Sequence, residues 1–167
     1  KIILSILAKK VAFGATHVVI DLPYGQTLKV THLKDAQVLK SKFEYVAKKF
    51  SMKIRILIHR TDEPVGRGIG PILETKDALK VLEQTSDKPL DLEIRSLTLA
   101  GNLLELCLKD SVQSLQESVR KNYGNCMGWA TKILKEGEAL KKMREIIFEQ
   151  GGDPTVDSNK LIPGKFA

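Results

Sequence analysis

Apolar and polar positions follow two different periods along the chain, and these periods predict a mixture of helices and short strands. Residues 2–13 carry apolar side chains at helical spacing, and Gly14 is placed to end that helix. Residues 17–22 form a β-branched run that stops before Pro23, which is typical of a buried strand. The first elements are therefore predicted to be a helix and then a strand.

A second helix and a second strand follow at lengths that suit a βαβ unit. Thr31 is predicted to be the N-cap of an amphipathic helix over residues 32–49, and residues 53–59 form the next strand. The two strands should be parallel, because a crossover helix returns the chain to the same end of the sheet. The helix is expected to bury Leu33, Ala36, Val38, Leu39, Phe43, Val46, Ala47 and Phe50.

The rest of the chain is predicted to be mostly helical. A glycine-rich loop spans Thr61–Pro71, a turn occupies Asp87–Pro89, and the tail from Thr155 is irregular. Helices are predicted over residues 73–84, 90–107, 110–122, 125–136 and 137–150. The pattern predicts an α/β fold with a parallel or mixed sheet flanked by helices. Two strands are few for a parallel sheet, so we expect the domain to be truncated.

The segment 90–108 is unusually rich in leucine. Its apolar residues are Leu90, Leu92, Ile94, Leu97, Leu99, Leu103, Leu104, Leu106 and Leu108. We interpret the segment as core. If its apolar residues were exposed in a truncated chain, they could drive association, so a structural or oligomerisation module is one alternative function.

Composition restricts the class of protein. Of the 167 residues 43% are apolar and 28% charged, which is typical of a globular protein, and no apolar run approaches the roughly 20 residues of a membrane helix. The net charge of +7 favours anionic partners, although lysines on solvated helix surfaces are the simpler explanation. Cys107 and Cys126 form no metal-binding or disulfide pattern, and we expect a cytoplasmic location.

Two groups of residues could bind a small polar ligand. Ser5 and Lys9 are four residues apart, so their hydroxyl and ammonium groups share one face of the first helix and could hold a polar ring. The loop after the first strand contains Gly25 and Lys29, and ligands of α/β sheets bind at the carboxyl ends of strands. Each group could also be an ordinary surface or connecting loop.

The glycine-rich loop admits two interpretations. Gly66, Gly68 and Gly70 could form a phosphate cradle after the second strand. Their spacing differs from the GxGxxG pattern of dinucleotide-binding loops, and this favours a structural turn. A Rossmann-like nucleotide-binding domain is nevertheless a second alternative, which titration with NAD would test.

Four motifs in order resemble the thymidine/pyrimidine-nucleoside phosphorylase family. They are Lys-x-x-x-Ser-Ile-x-x-Lys-Lys from Lys1, the strand ending Asp-x-x-x-Gly at Asp21, Gly-x-x-Ile-Gly-Pro-x-Leu-Glu from Gly66, and Gly-Gly-Asp-Pro from Gly151. The resemblance covers residues 1–163 and is greatest to the archaeal-type branch of AMP phosphorylases and proteins labelled thymidine phosphorylase. The bacterial enzymes carry Asp-Val-Lys-x-Gly-Ser-Gly-Ala-Phe-Met after the strand, whereas this chain replaces the base-pocket aromatic residue by Lys29.

The resemblance implies a pentosyltransferase that cleaves a nucleotide or nucleoside with inorganic phosphate as co-substrate. It implies that Ser5 and Lys9 line the base pocket, that Lys9 is catalytic, and that Lys29 contacts the nucleotide. It implies no required cofactor, but a structural monovalent or divalent cation is expected at Val65, Gly68 and Asp77. AMP would give free base and ribose 1,5-bisphosphate, and thymidine would give thymine and deoxyribose 1-phosphate.

The resemblance also implies how the chain is organised. Residues 1–13 would belong to a helical domain and the base pocket, residues 14–154 to the central α/β domain, and residues 155–167 to a linker towards a missing C-terminal domain. We expect a segment of a longer enzyme that forms a dimer or larger homo-oligomer. Because the family's phosphate-binding loop lies upstream, we expect the isolated segment to have little or no activity.

A basic nucleic-acid-binding module is the alternative outside the enzymes. It depends on the net charge alone, since aromatic residues make up only 5% of the chain and form no stacking platform in the sequence. We therefore expect small-molecule partners, without nucleic acid or membrane.

Overall fold

The computed structural model describes residues 2–164. Lys1, which opens the first motif, and residues 165–167, the end of the predicted linker, lie outside the described residues. The described elements are α1 Ile2–Ala12, β1 His17–Tyr24, α2 Leu33–Lys49, β2 Lys53–Arg60, α3 Pro71–Glu83, α4 Leu90–Leu108, α5 Gln113–Tyr123, α6 Cys126–Lys135 and α7 Glu138–Glu149. They confirm an α/β fold. Its identity as the central domain of a larger enzyme stays a prediction.

The described residues form two compact units. The first unit contains the chain up to Glu63 and returns with Leu99–Asn122. The second unit contains Pro64–Thr98 and the chain from Tyr123 onwards. α4 therefore contributes residues to both units.

The parallel βαβ unit is confirmed in the first unit. β1 and β2 pair in parallel, in a register that runs from His17 opposite Lys53 to Tyr24 opposite Arg60. β1 continues through Pro23, where the sequence pattern ended it. The carbonyl of Tyr24 accepts from the amide of Thr61 at 2.9 Å, so the backbone groups of Pro23 face away from β2 and the missing amide costs no ladder bond.

The core of the first unit lies on one face of the two-stranded sheet. Val18 and Leu22 of β1 pack there with Ile56 of β2, with Leu7 of α1 and with Phe43 of α2. Leu7 is fully buried, which attaches α1 to the same core as the sheet. Burying these apolar side chains supplies the main force that holds the unit together.

The expected burial of α2 is wrong for three residues. Leu33, Val38 and Phe50 are 45%, 48% and 49% exposed, because one helix face covers the sheet and the other positions point elsewhere. The predicted N-cap Thr31 is also wrong. His32 is the N-cap, with extended backbone angles and no capping side-chain hydrogen bond, and its carbonyl accepts the first helical amides.

Gly14 ends α1 as expected. Its φ angle is 69°, in the left-handed region that favours glycine. The amide of Ala15 donates to the carbonyl of Lys10 at 2.9 Å, and that of Gly14 to Val11 at 2.9 Å. These bonds satisfy carbonyls at the helix end and turn the chain into β1.

Two predicted helix starts differ from the structure. α3 begins at Pro71, two residues early, because proline is well suited to the first helical position. α5 begins at Gln113 instead of Asp110. The Asp110 carboxylate is engaged by Lys53 and, at 2.5 Å, by His17, so residue 110 belongs to the turn that ties α4 to the sheet.

The interpretation of residues 90–108 as core is wrong for much of α4. Gly101 is its one buried residue, while Leu90 and Ile94 are 60% and 64% exposed. Apolar side chains lie around most of the circumference of α4. The neighbouring elements of either unit cover only part of it, so several of these side chains remain exposed.

The second unit packs α3 and α6 against α7. Its buried residues include Leu79 and Val81 of α3 and Ala130 and Leu134 of α6. The tail is irregular, as predicted, and it is anchored. Ser158 is buried, and its hydroxyl and amide both donate to the Glu83 carboxylate, at 2.6 and 3.0 Å. No helix between residues 2 and 164 is both long enough and apolar enough to cross a bilayer.

Candidate functional site

Ser5 and Lys9 lie together on the solvent-facing side of α1. Leu7 points to the opposite side, where it is buried in the core. Both side chains are exposed, and within residues 2–164 no hydrogen bond or ion pair engages either of them. The pair is therefore held on a fixed helix with its polar groups available to a ligand.

Lys29 lies on a compact loop directly after β1. The amide of Gly25 donates to the carbonyl of Val30 at 3.0 Å, and the amide of Leu28 donates to the carbonyl of Gly25 at 3.1 Å. These two bonds close the loop on itself and leave the Lys29 side chain exposed. The ammonium group is thus presented at the carboxyl end of a parallel strand, where α/β proteins bind ligands.

An acid–histidine pair near the same end of the sheet escaped the sequence analysis. Asp21 Oδ1 lies 3.2 Å from His59 Nδ1, and both side chains are partly buried. Each residue lies in the carboxyl-terminal half of its strand, and this position is the feature of the sequence from which their proximity could have been predicted. The contact itself depends on the register, which places Pro23 opposite His59.

A groove of about 400 Å³ runs along the second face of the sheet. Its polar lining comes from Lys10, His17 and Asp21, and α4 contributes Leu99, Ala100 and Leu103. Ser5, Lys9 and Lys29 are not among its lining residues. The structure places these three predicted site residues in the first unit, and their convergence on one ligand stays a prediction.

The part of the glycine-rich loop that lies in the second unit is held by carboxylates. Asp77 is 8% exposed, and its Oδ2 accepts from the amides of Arg67 and Gly68 at 2.6 and 2.7 Å. The amide of Gly66 donates to Asp91 at 2.8 Å, and that of Gly70 to Glu74 at 2.9 Å. Amides that would form a phosphate cradle are thus already bonded, which supports the structural turn.

The charge on Asp91 is stabilised by this loop. The amide of Gly66 donates to the Asp91 carboxylate and lowers the pKa of that carboxyl below its usual value, with Arg67 adding a weaker attraction. Asp91 is therefore ionised at neutral pH and holds the loop as an acceptor.

The residues predicted to bind a cation lie in this same loop and helix. Val65 is 43% exposed, and Gly68 lies close to α3, where a Cβ at residue 68 would approach the carbonyl carbon of Leu73 to 2.5 Å. A cation here would need the carbonyl oxygens of Val65 and Gly68 with the Asp77 oxygen that the loop amides leave unused. Among residues 2–164, no group of three or more His, Cys, Asp and Glu side chains could hold a metal ion.

Comparison with known proteins identifies relatives for nearly the whole chain. No protein-family model matches it. A protein of Methylococcus capsulatus named "Putative thymidine phosphorylase" is 40% identical over 99% of the chain, and a protein of the same name from Ralstonia nicotianae is 45% identical over 89%. An AMP phosphorylase of Natronomonas pharaonis is 37% identical over 98%.

The match covers only part of each relative. The chain spans 29%, 27% and 30% of the lengths of these three proteins. Identities near 40% across such a large share of the chain are the evidence of common descent. The chain is therefore a homologue of proteins named "Putative thymidine phosphorylase" and "AMP phosphorylase", and it matches less than one third of their length.

Proposed function

We propose that this chain forms part of an enzyme that uses inorganic phosphate to split the N-glycosidic bond of a nucleoside monophosphate. AMP would give adenine and ribose 1,5-bisphosphate. One observation carries the choice of a nucleotide over a nucleoside. Lys29 is exposed on a closed loop at the carboxyl end of β1, in a chain whose homologues include a protein named "AMP phosphorylase".

The reaction is a displacement at the anomeric carbon of the sugar. A phosphate oxygen forms a bond to this carbon while the carbon–nitrogen bond breaks, and the electron pair of that bond leaves with the base. Negative charge therefore develops on the base and positive charge on the sugar in the transition state. Catalysis of such a step consists of aligning the reactants and stabilising the developing charges.

Ser5 and Lys9 are proposed to meet the base. Lys9 would stabilise the negative charge that develops on the departing ring, and the Ser5 hydroxyl would donate to or accept from a neighbouring ring atom. Both groups lie on one face of a helix that Leu7 fixes, so they can act without first being ordered.

Lys29 is proposed to bind the 5′-phosphate. A lysine ammonium forms charge-assisted hydrogen bonds with phosphate oxygens, and such bonds are stronger than those between neutral groups. The phosphate would be the feature that distinguishes a nucleotide from a nucleoside at this site. The reaction itself needs no organic cofactor. The cation at Val65, Gly68 and Asp77 and a homo-oligomeric full-length enzyme remain parts of the proposal.

A thymidine or pyrimidine nucleoside phosphorylase is the second candidate. A relative named "Putative thymidine phosphorylase" is 45% identical, whereas two relatives named "AMP phosphorylase" are 37% and 39% identical. That difference favours the nucleoside reaction, which would give the free base and ribose or deoxyribose 1-phosphate.

Phosphate-dependent release of base distinguishes the two candidates. Full-length protein is assayed with AMP, CMP, UMP, thymidine and uridine, each with and without phosphate. Release from nucleotides but not from nucleosides supports the first candidate, and the reverse supports the second. No release from any of the five, with phosphate present, contradicts both.

Lys29→Ala tests the role of the loop. We expect kcat/KM to fall about tenfold or more for the nucleotide, with little change for a nucleoside, because one charge-assisted bond is lost. Lys34→Ala is the matched control, since Lys34 is another exposed lysine of the same unit. Equal losses on nucleotide and nucleoside would remove the reason for preferring AMP.

A further inference from the structure

Gly25 is buried at the point where the loop bearing Lys29 leaves the sheet. It follows the last residue of β1, and both hydrogen bonds that close the loop use its backbone, one through its amide and one through its carbonyl. The backbone position of residue 25 therefore sets where the rest of the loop, including Lys29, can lie.

A side chain at residue 25 would collide with the backbone after β2. A Cβ there would lie 2.1 Å from the carbonyl oxygen of Thr61 and 3.2 Å from its carbonyl carbon. Thr61 is itself fixed, because its amide donates to the carbonyl of Tyr24 at 2.9 Å. The obstacle is main chain and cannot rotate away as a flexible side chain could.

The requirement for glycine at this position is one of space. Gly25 is not among the residues with positive φ, so no left-handed backbone conformation requires glycine there. Only the contact with Thr61 excludes a larger residue. This contact joins the Lys29 loop to the start of the glycine-rich loop.

We infer that Gly25 is a positioning residue: its lack of a side chain lets the loop after β1 dock against Thr61, and this docking holds Lys29 where it can bind the 5′-phosphate of a nucleotide. The inference rests on the proposed function for its final step. The docking itself is a property of the chain and can be tested without a substrate.

Hydrogen exchange tests the docking. In Gly25→Ala the amides of Leu28 and Thr61 should exchange about tenfold faster or more, because the Cβ forces the two segments apart. Gly164→Ala is the matched control, since a Cβ there meets nothing within 4 Å. Thr61→Ala is a second control, because the carbonyl it retains is the group that matters. Unchanged exchange in Gly25→Ala would overturn the inference.

The unmodified chain offers a second measurement that needs no folded variant. If the contact joins the two segments, the amides of Leu28 and Thr61 should open together, with protection factors that agree within about tenfold. Protection factors that differ by several orders of magnitude would show two independent segments and would overturn the docking.

Kinetics test the link to Lys29. Gly25→Ala should raise KM for the nucleotide about tenfold with a smaller change in kcat, and its effect on a nucleoside substrate should be smaller. Combining Gly25→Ala with Lys29→Ala should add little to the loss caused by Lys29→Ala alone, since both changes remove one interaction. Additive losses, or equal losses on nucleosides, would show that Gly25 does not act through Lys29. If wild-type protein released no base while the exchange result held, the proposed function alone would fail.

Discussion

Asp77 holds the glycine-rich loop with one carboxylate oxygen. Two consecutive amides, those of Arg67 and Gly68, donate to Oδ2 at 2.6 and 2.7 Å, and the side chain is almost completely buried. A buried amide without an acceptor loses the free energy of its hydration. This one carboxylate offsets that loss for two amides by accepting a hydrogen bond from each. The loop conformation therefore depends on a residue that lies nine positions after Gly68 in the sequence.

Replacing Asp77 should unfold the second unit more easily. We expect Asp77→Ala to lower the free energy of unfolding by roughly 2–3 kcal/mol, because two loop amides lose a charged acceptor. Asp77→Asn should cost less, since one amide oxygen remains. Urea denaturation followed by circular dichroism measures both.

Asp62→Ala is the control for this prediction. Asp62 pairs with Arg60 on the surface, where both side chains are more than half exposed, and its loss should change stability by no more than about 0.5 kcal/mol. If Asp77→Ala were as mild as Asp62→Ala, the carboxylate would not be what holds the loop.

Sequence reasoning at this scale reached positions but not contacts. It placed Lys29 after a strand and Ser5 and Lys9 on one helix face, because chain order and helical spacing determine both. It did not find the contact of Asp21 with His59, which depends on the register of two strands. It also assigned the three loop glycines two alternative roles, and only the carboxylates from α3 and α4 distinguish between them.

α1 is attached to the first unit through Leu7, with Ile3 and Ile6 packed against the same core. Leu7 is completely buried, whereas Ile2 and Leu4 of the same helix are 59% and 60% exposed. Ser5 and Lys9 are on the opposite side of the helix, so the orientation of the proposed base-binding pair depends on how Leu7 packs. Stability and function should therefore be lost together when this contact is weakened.

Leu7→Ala should destabilise the first unit and disturb the base-binding face. We expect a loss of about 2–4 kcal/mol in the free energy of unfolding, the usual cost of a buried leucine truncated to alanine. Leu4→Ala removes the same atoms from an exposed position of the same helix and should cost no more than about 0.5 kcal/mol. Chemical denaturation of the two variants measures the difference, and equal effects would show that α1 is not held through Leu7.

At the scale of elements the sequence predicted the order and type of every described helix and strand. The errors in these assignments lie at the ends of helices and strands, where local chemistry competes with periodicity. Pro71 starts α3 early because it suits the first helical position. α5 begins after Asp110 because Lys53 and His17 hold the Asp110 carboxylate in the turn. These partners lie 57 and 93 residues away in the sequence, so no local pattern predicts the contacts.

The whole chain is basic, with a net charge of +7, and its carboxylates are correspondingly well partnered. Eight of them among the described residues have pKa values below the usual range: Asp87, Asp91, Glu93, Glu105, Asp110, Glu145, Asp153 and Asp157. For Asp110 the largest cause is the hydrogen bond from Lys53, followed by that from His17. For Glu105 it is the bond from Arg55.

These lowered pKa values predict loss of stability in acid. A carboxyl whose pKa is lower in the folded chain binds a proton more readily when unfolded. Its contribution is therefore complete above the unfolded value, about 4 for Asp and Glu, and is lost as the pH falls through the folded value. We expect the melting temperature to be nearly constant from neutral pH to about 4.5 and to fall steeply below about 4.

Thermal unfolding followed by circular dichroism between pH 7 and 3 tests this expectation. Asp110→Asn should show a smaller fall over the acid range, because one of the eight groups no longer titrates. Salt should weaken the acid sensitivity of the exposed pairs, since it screens their attraction. A transition centred near pH 6.5 would instead implicate histidine, for which that is the usual pKa, and would contradict the assignment of acid sensitivity to the carboxylates.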